Sequence, residues 1–354
     1  MAERNADGAI VSHPGDASGR ERGRRGLSVT TELARFGVPV LLILLIIVFS
    51  SLSPDAFFTL DNLKATLATQ SVLVLLALAA MVPFVVGEFD LSPAANASLA
   101  NVVCAGFIIN QGGSTWLAIV LALLASTIVG FANGLVVVKL RVPALIATLA
   151  MATVLEGVQL LYTGGGQILG APESLTQIAR SEVLYLPAAV VYAAAVAVVA
   201  YVVLDRRVVG RRLYAVGGNR RAAELSGVPV QRYVVGAFTG AGVLAGIGGV
   251  ILASRLGNAT VGSADSLLLS MFAAVFLGAT TITPGRYNVP GTVVAVLFLA
   301  VALSGMQYLG APVWSQPLFN GLVLIAAVSL SAWMARRNAA AARKEQLELL
   351  SADE

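Results

Sequence analysis

The chain reads as an all-α protein that threads a membrane about ten times as a polytopic helical bundle. Three observations carry that reading. Of its 354 residues 57% are apolar and only 12% charged, with a mean hydropathy of +0.84. A water-soluble domain carries roughly 25% charge, so this chain has too little to coat a surface of its size. Ten apolar windows reach or approach the ~17–25 residues that a helix needs to cross the ~30 Å hydrocarbon core. The basic residues are concentrated in the tails and alternate connections, the pattern that orients a multi-pass protein. A soluble enzyme with one core is excluded, and so is a disordered chain, which needs low hydrophobicity.

Residues 1–35 are polar, with Arg20, Arg22, Arg24, Arg25 and Arg35, and are expected to form a disordered cytoplasmic tail. The windows follow at 36–52, 66–86, 91–110, 115–138, 143–163, 184–204, 233–253, 267–283, 290–309 and 314–335, inside a transmembrane domain at 36–335. The first has a basic stretch before it, as a signal peptide would. No small-residue cleavage site follows in Ser50-Ser51-Leu52-Ser53-Pro54, so it is expected to stay as a span. The break Gly87-Glu88-Phe89-Asp90-Leu91-Ser92-Pro93 reads as a re-entrant turn, tolerated at that depth only within protein or a wet cavity. Ser92 and Pro93 suit the N-cap and first turn of the third span, and Asp90 suits the same helix N-terminus. Gly240, Gly242, Gly246, Gly248 and Gly249 share the 233–253 window and admit either close helix packing or a flexing gate. Val142–Leu161 resembles Val289–Leu309, as the halves of an internal repeat would. Residues 336–354 read as a cytoplasmic C-terminal tail. With the N-terminus inside and sides alternating, all of the 23 basic residues except Lys64, Arg180 and Arg255 fall in the cytoplasm, so both termini are expected there.

Much chemistry is missing. Cys104 is the single cysteine and lies in an apolar run; His13 is the single histidine and lies in the tail. Neither a disulfide framework, a metal site nor histidine acid–base chemistry is expected. No G-x-x-x-x-G-K-[ST] is present, and Gly164-Gly165-Gly166-Gln167-Ile168-Leu169-Gly170 lacks the lysine, so the chain is not expected to bind nucleotide or any cofactor of its own. H-E-x-x-H and a nucleophile elbow are also absent. The net charge of +4 is explained by arginines flanking spans, so no nucleic acid partner is expected.

The most informative segment is the connection at 205–232. Gly217-Gly218-Asn219 is a turn signal, and Asn219 is placed to cap a short helix made of Arg220, Arg221, Ala222, Ala223, Glu224, Leu225 and Ser226. Gly227 is placed to end it and Pro229 to prevent its continuation. A capped helix between two spans is either a rigid knob for docking or a solvated connector whose arginines fix topology.

Tyr214-Ala215-Val216-Gly217-Gly218-Asn219, then Ala222-Ala223 and Leu225-Ser226-Gly227-Val228, resembles the signature loop of permease subunits of ATP-binding-cassette importers for ribose, xylose and similar monosaccharides, within the branched-chain-type permease superfamily. Phe89-Asp90-Leu91-Ser92 resembles that family's Asp-Leu-Ser element. Val142-Pro143 through Leu149, with Gly157 and Thr163-Gly164-Gly165, resembles its fifth span. Leu277-Gly278 through Arg286, with Gly291-Thr292, resembles its eighth-to-ninth-span turn. The chain departs from the family pattern at Gly87-Glu88-Phe89, at Glu156, where a basic residue is common, and at Thr283-Pro284-Gly285-Arg286-Tyr287-Asn288.

The resemblance implies a cytoplasmic-membrane permease that imports a monosaccharide by alternating access. It implies a partner ATPase that holds ATP and magnesium, an extracytoplasmic sugar-binding protein, and a second permease copy or sister permease. Residues 217–227 would be the coupling helix seated on the ATPase. A sugar path needs amides, hydroxyls and carboxylates in a wet cavity. Candidates are Asp90, Asn96, Asn101, Asn133, Thr148, Thr153, Glu156, Gln159, Gln307 and Asn320, each of which also suits a bond between helices. Rival readings are a permease for nucleosides or branched-chain amino acids, an ion-coupled transporter using Glu156, and a membrane scaffold or receptor.

Overall fold

The computed structural model describes residues 35–352. The expected N-terminal tail up to residue 34, with His13, lies outside the described residues. In chain order the helices are α1 (Arg35–Leu52), α2 (Leu60–Val85), α3 (Pro93–Gln111), α4 (Thr115–Lys139), α5 (Ala144–Thr163), α6 (Glu173–Arg180), α7 (Ala188–Tyr201), α8 (Val208–Gly218), α9 (Arg220–Leu225), α10 (Val230–Leu256), α11 (Leu268–Gly278), α12 (Val289–Tyr308) and α13 (Ser315–Ala352). One π-helical turn carries α7 on to Arg206. Among the described residues, nine helices are long and apolar enough to cross a membrane. The last does not stop at the end of its apolar window but runs on as one helix to Ala352.

The expected eighth span, 267–283, is corrected. Its helix, α11, has 11 residues, ~16 Å at 1.5 Å per residue and about half the hydrocarbon core. Gly257 ends α10 in the left-handed conformation with φ of 69°, which a side chain would strain. Beyond it Asn258-Ala259-Thr260-Val261-Gly262-Ser263-Ala264 runs into the bundle beside α3, and a single 3-10 turn, Asp265–Leu267, leads into α11. The far end of α11 meets the start of α1, where Thr281 Oγ1 donates to Arg35 O at 2.8 Å. The crossing is therefore made in two parts, an unwound stretch and a half-length helix. Its polar first half was legible only as an outside loop.

The core is built on close backbone approach. α10 lies at the centre against α2, α3 and α4. A Cβ on Gly242 would stand 2.5 Å from Ser126 O, one on Gly246 2.9 Å from Ser126 Cβ, and one on Gly249 inside Ala97 and Ala100. These glycines are the packing surface of α10. In lipid, helices gain little by hiding apolar surface from one another, so such contact supplies the association. α7 packs on α2 and α12; α11, α12 and α13 form a second group beside α2; α5 packs on α3 and α4. The Phe49 ring of α1 covers Gly305 of α12.

The arginines of the α7–α10 connections gather at one end of the bundle. There Arg286 pairs with Asp205 at 3.5 Å, and Arg212 donates to the Tyr233 hydroxyl at 3.0 Å. At the opposite end Lys64 pairs with Glu182 at 2.8 Å. There too α6 is tied to α10: Ser254 Oγ donates to Leu175 O at 2.6 Å and accepts the Ala179 N–H at 2.8 Å.

Overpacking the α4–α10 seam costs about 1–3 kcal/mol. Gly242→Val is expected to lower the thermal midpoint of the detergent-solubilised protein by several degrees, whereas Gly236→Ala, with open space around it, should leave it unchanged. Equal midpoints for both variants would contradict the packing role.

Candidate functional site

In the break between α2 and α3, Val86, Asp90 and Ser92 are buried, while Gly87 and Phe89 are exposed. Asp90 Oδ1 accepts the Ser92 N–H at 2.9 Å and the Ser92 hydroxyl at 2.7 Å. Ser92 Oγ accepts from Asn133 Nδ2 of α4 at 2.9 Å. Leu91 N–H donates to Thr148 Oγ1 of α5 at 3.0 Å. Ser92 does precede Pro93 at the head of α3, but its hydroxyl caps no backbone group there; it joins Asp90 to Asn133 instead.

The short helix α9 forms as its residues suggest. Asn219 Oδ1 accepts the Ala222 N–H at 3.0 Å, and Gly227 leaves the helix with φ of 78°. Ala223 is buried underneath; Leu225 is 76% exposed, an apolar side chain presented outward. Arg221 and Glu224 stand 3.7 Å apart on the exposed surface. Arg220 points back into the bundle, pairs with Glu88 and donates to Val86 O at 3.4 Å. Gly217 sits on the Val85 carbonyl so closely that a Cβ would overlap it. The knob is thus clamped to the α2–α3 break. On its other flank Tyr214 donates to Tyr287 O at 2.6 Å, with the Arg286 guanidinium 3.6 Å over its ring. Burial pushes the Tyr214 phenol above its ordinary value, which keeps it a neutral donor.

The unwound half of the broken crossing is held by side chains in place of a helical ladder. Asn101 Nδ2 donates to Asn258 O and its Oδ1 accepts the Thr260 N–H, both at 3.0 Å. Gln159 Oε1 accepts the Gly262 N–H at 3.2 Å, and Ser98 Oγ accepts the Ala264 N–H at 2.9 Å. Asn258–Ala259 also pairs with Ile168–Leu169 as a two-residue antiparallel ladder. Two cavities flank the turn at 265–267. One, about 250 Å³, sets Thr153, Glu156, Gln159 and Asp265 among apolar neighbours that include Leu91, Leu149 and Leu268. The other, about 380 Å³, is lined by Thr66, Thr69, Gln70, Leu267, Ser270 and Gln307 among others.

Residues 62–328 match the protein family described as branched-chain amino acid transport system / permease component. The chain belongs to this permease family. The ribose import permease protein of Bacillus subtilis (strain 168) is 34% identical over 291 residues, covering 82% of this chain and 90% of that one. Its Escherichia coli (strain K12) counterpart is 31% identical, covering 82% and 91%. The L-arabinose ABC transporter permease protein of Azospirillum brasilense is 31% identical over 314 residues, covering 88% and 90%. No solved structure matches. The chain is a multi-pass membrane permease and not an enzyme.

The permease does not set its polar span residues along one channel. Asn96, Asn133, Thr148 and Gln159 are buried and bonded to other segments, and Asp90 is buried and bonded locally to Ser92; Asn96 Nδ2 donates to Ser126 O at 3.1 Å, and Gln159 Nε2 to Ala95 O at 3.3 Å. Asn320 Nδ2 donates to Ser270 Oγ at 2.9 Å, tying α13 to α11. Glu156 and Gln307 are exposed to the two separate cavities. Two further residues enter the site. Asp265 shares the cavity of Glu156, and Glu88 carries the contact to the knob. The departure at Gly87-Glu88-Phe89 was the one signal for Glu88; Asp265 lay in what read as an outside loop.

Removing Asn101 or Gln159 leaves buried backbone groups of the unwound stretch without partners, at about 1–3 kcal/mol each. Asn101→Leu and Gln159→Leu are expected to lower the unfolding midpoint of the purified permease by several degrees without any substrate present. Unchanged melting would show that these amides are spare for a ligand.

Proposed function

We propose that this permease, paired with a second copy or a sister permease, forms the translocation path of an ATP-driven monosaccharide importer. The observation that carries the reading is the exposure of Glu156. It stands well inside α5, a membrane-crossing helix, on the wall of a cavity that stays open in the single chain. A carboxylate facing hydrocarbon there costs ~2.5–3.5 kcal/mol on insertion scales. A second permease laid against α5 removes that exposure and encloses a cavity with Glu156, Thr153 and Asp265 on its wall. Carboxylates and hydroxyls are suited to the donors and acceptors of a neutral sugar. The names of the relatives, for ribose import, autoinducer 2 import and an L-arabinose ABC transporter, support the same class.

The arginine-rich end is cytoplasmic in this reading, with both termini on that side. An ATPase holding ATP and magnesium docks on α9 through Leu225, Arg221 and Glu224. A sugar-binding protein delivers from the opposite end. Displacement of α9 reaches α5 through the contacts already described: Arg220 pulls Glu88, and the same break holds Thr148 of α5 through Leu91.

The test is reconstitution with the ATPase and binding protein, followed by ATP-dependent uptake of labelled monosaccharides, nucleosides and branched-chain amino acids. Glu156→Gln is expected to reduce monosaccharide uptake about tenfold, as losing a charged hydrogen bond would, with assembly intact. Arg220→Glu should leave ATP hydrolysis running without uptake, and the swap Glu88→Arg/Arg220→Glu should restore coupling. Accumulation by the permease alone, or uptake confined to a nucleoside or amino acid, would overturn the reading.

A further inference from the structure

We propose that the permease holds one anionic phospholipid in the groove between α7 and α10. Both helices pack on α2 but stand apart from each other, and the gap forms a cavity of about 680 Å³. Val82 of α2 floors it; Val196 and Val203 of α7 and Gly240 and Val243 of α10 form its walls. From Arg232 to Ile247 the cavity follows α10 for about 22 Å at 1.5 Å per residue. That exceeds half of the ~30 Å core, enough for an acyl chain of one leaflet. Gly236 and Gly240 leave its wall open: a Cβ on Gly236 meets nothing within 4 Å, and one on Gly240 only Val82 at 3.9 Å.

The apolar wall ends at a cationic mouth. Arg232 lines the cavity at the arginine-rich end next to Tyr233, whose hydroxyl accepts from Arg212 of α8 at 3.0 Å. Neither arginine pairs with a carboxylate among the described residues, whereas Arg220 and Arg286 do. A long apolar slot closed at its membrane–water end by two guanidinium groups matches a lipid with a phosphate head and a hydrocarbon tail. A neutral detergent-like chain would leave both arginines without an anionic partner. A second copy of the chain is the poorer fit, because Glu156 places the pairing face on α5, which packs on α3 and α4 and not beside α7.

Native mass spectrometry of the full-length permease tests this, after exchange with vesicles of equal phosphatidylglycerol and phosphatidylcholine. The unmodified protein is expected to retain phosphatidylglycerol about tenfold over phosphatidylcholine, as two arginines near the phosphate would give. Arg212→Gln/Arg232→Gln, both at exposed positions, should bring the ratio to about one. Gly240→Leu, which fills the slot, should lose retained lipid of both kinds. Equal retention of the two lipids by the unmodified protein, or an unchanged ratio in the arginine variant, overturns the proposal. So does a dimer that Gly240→Leu dissociates, since the groove would then belong to a second copy.

Discussion

Inside a hydrocarbon layer, each backbone N–H and C=O must find its partner within the protein. Nine long helices satisfy that demand along their own axes. The permease departs from helix at two places inside the bundle, the break at 86–92 and the unwound stretch at 258–264. Both survive because polar side chains stand where the helical ladder would have been. Thr148 serves Leu91, Asn101 serves Asn258 and Thr260, and Gln159 and Ser98 serve Gly262 and Ala264. An amide at a membrane-spanning position is therefore first a substitute for a backbone partner, and a ligand-binding group only when that need has been met.

The two breaks also give the bundle its mechanical character. A continuous helix moves as a rod, but a non-helical joint lets its two sides turn separately. The joint at 86–92 is pinned to the surface knob α9 by Arg220 and Glu88, and to α5 by Leu91 and Thr148. The joint at 258–267 is pinned to α3 and α5. α5 therefore meets both joints and carries Glu156 between them. This arrangement offers a short physical route from a docking surface to a cavity wall, through bonds that cannot lengthen without breaking.

Close packing by glycine has the opposite character. Gly242, Gly246 and Gly249 lock α10 against α3 and α4. On another face of the same helix, Gly236 and Gly240 have no such neighbour and leave a slot beside α7. The same residue type serves as a seam on one face and as open space on the other, and only the position of neighbouring helices separates the two uses.

By itself the sequence determined the class of molecule. Membrane insertion depends on apolar length, which is a linear property of the chain. The α9 knob was equally legible, because Asn219, Gly227 and Pro229 act within a few residues of themselves. Contacts between distant segments were decided by the tertiary structure alone. Nothing near Asn101 or Gln159 in the chain announces that each serves a backbone more than a hundred residues away. Nothing near Asp265 marks it as sharing a cavity with Glu156, since a polar stretch that packs on protein has the same composition as a loop in water. The half-length α11 was missed for that reason: hydropathy reports what a segment would prefer to touch, and only packing settles what it does touch.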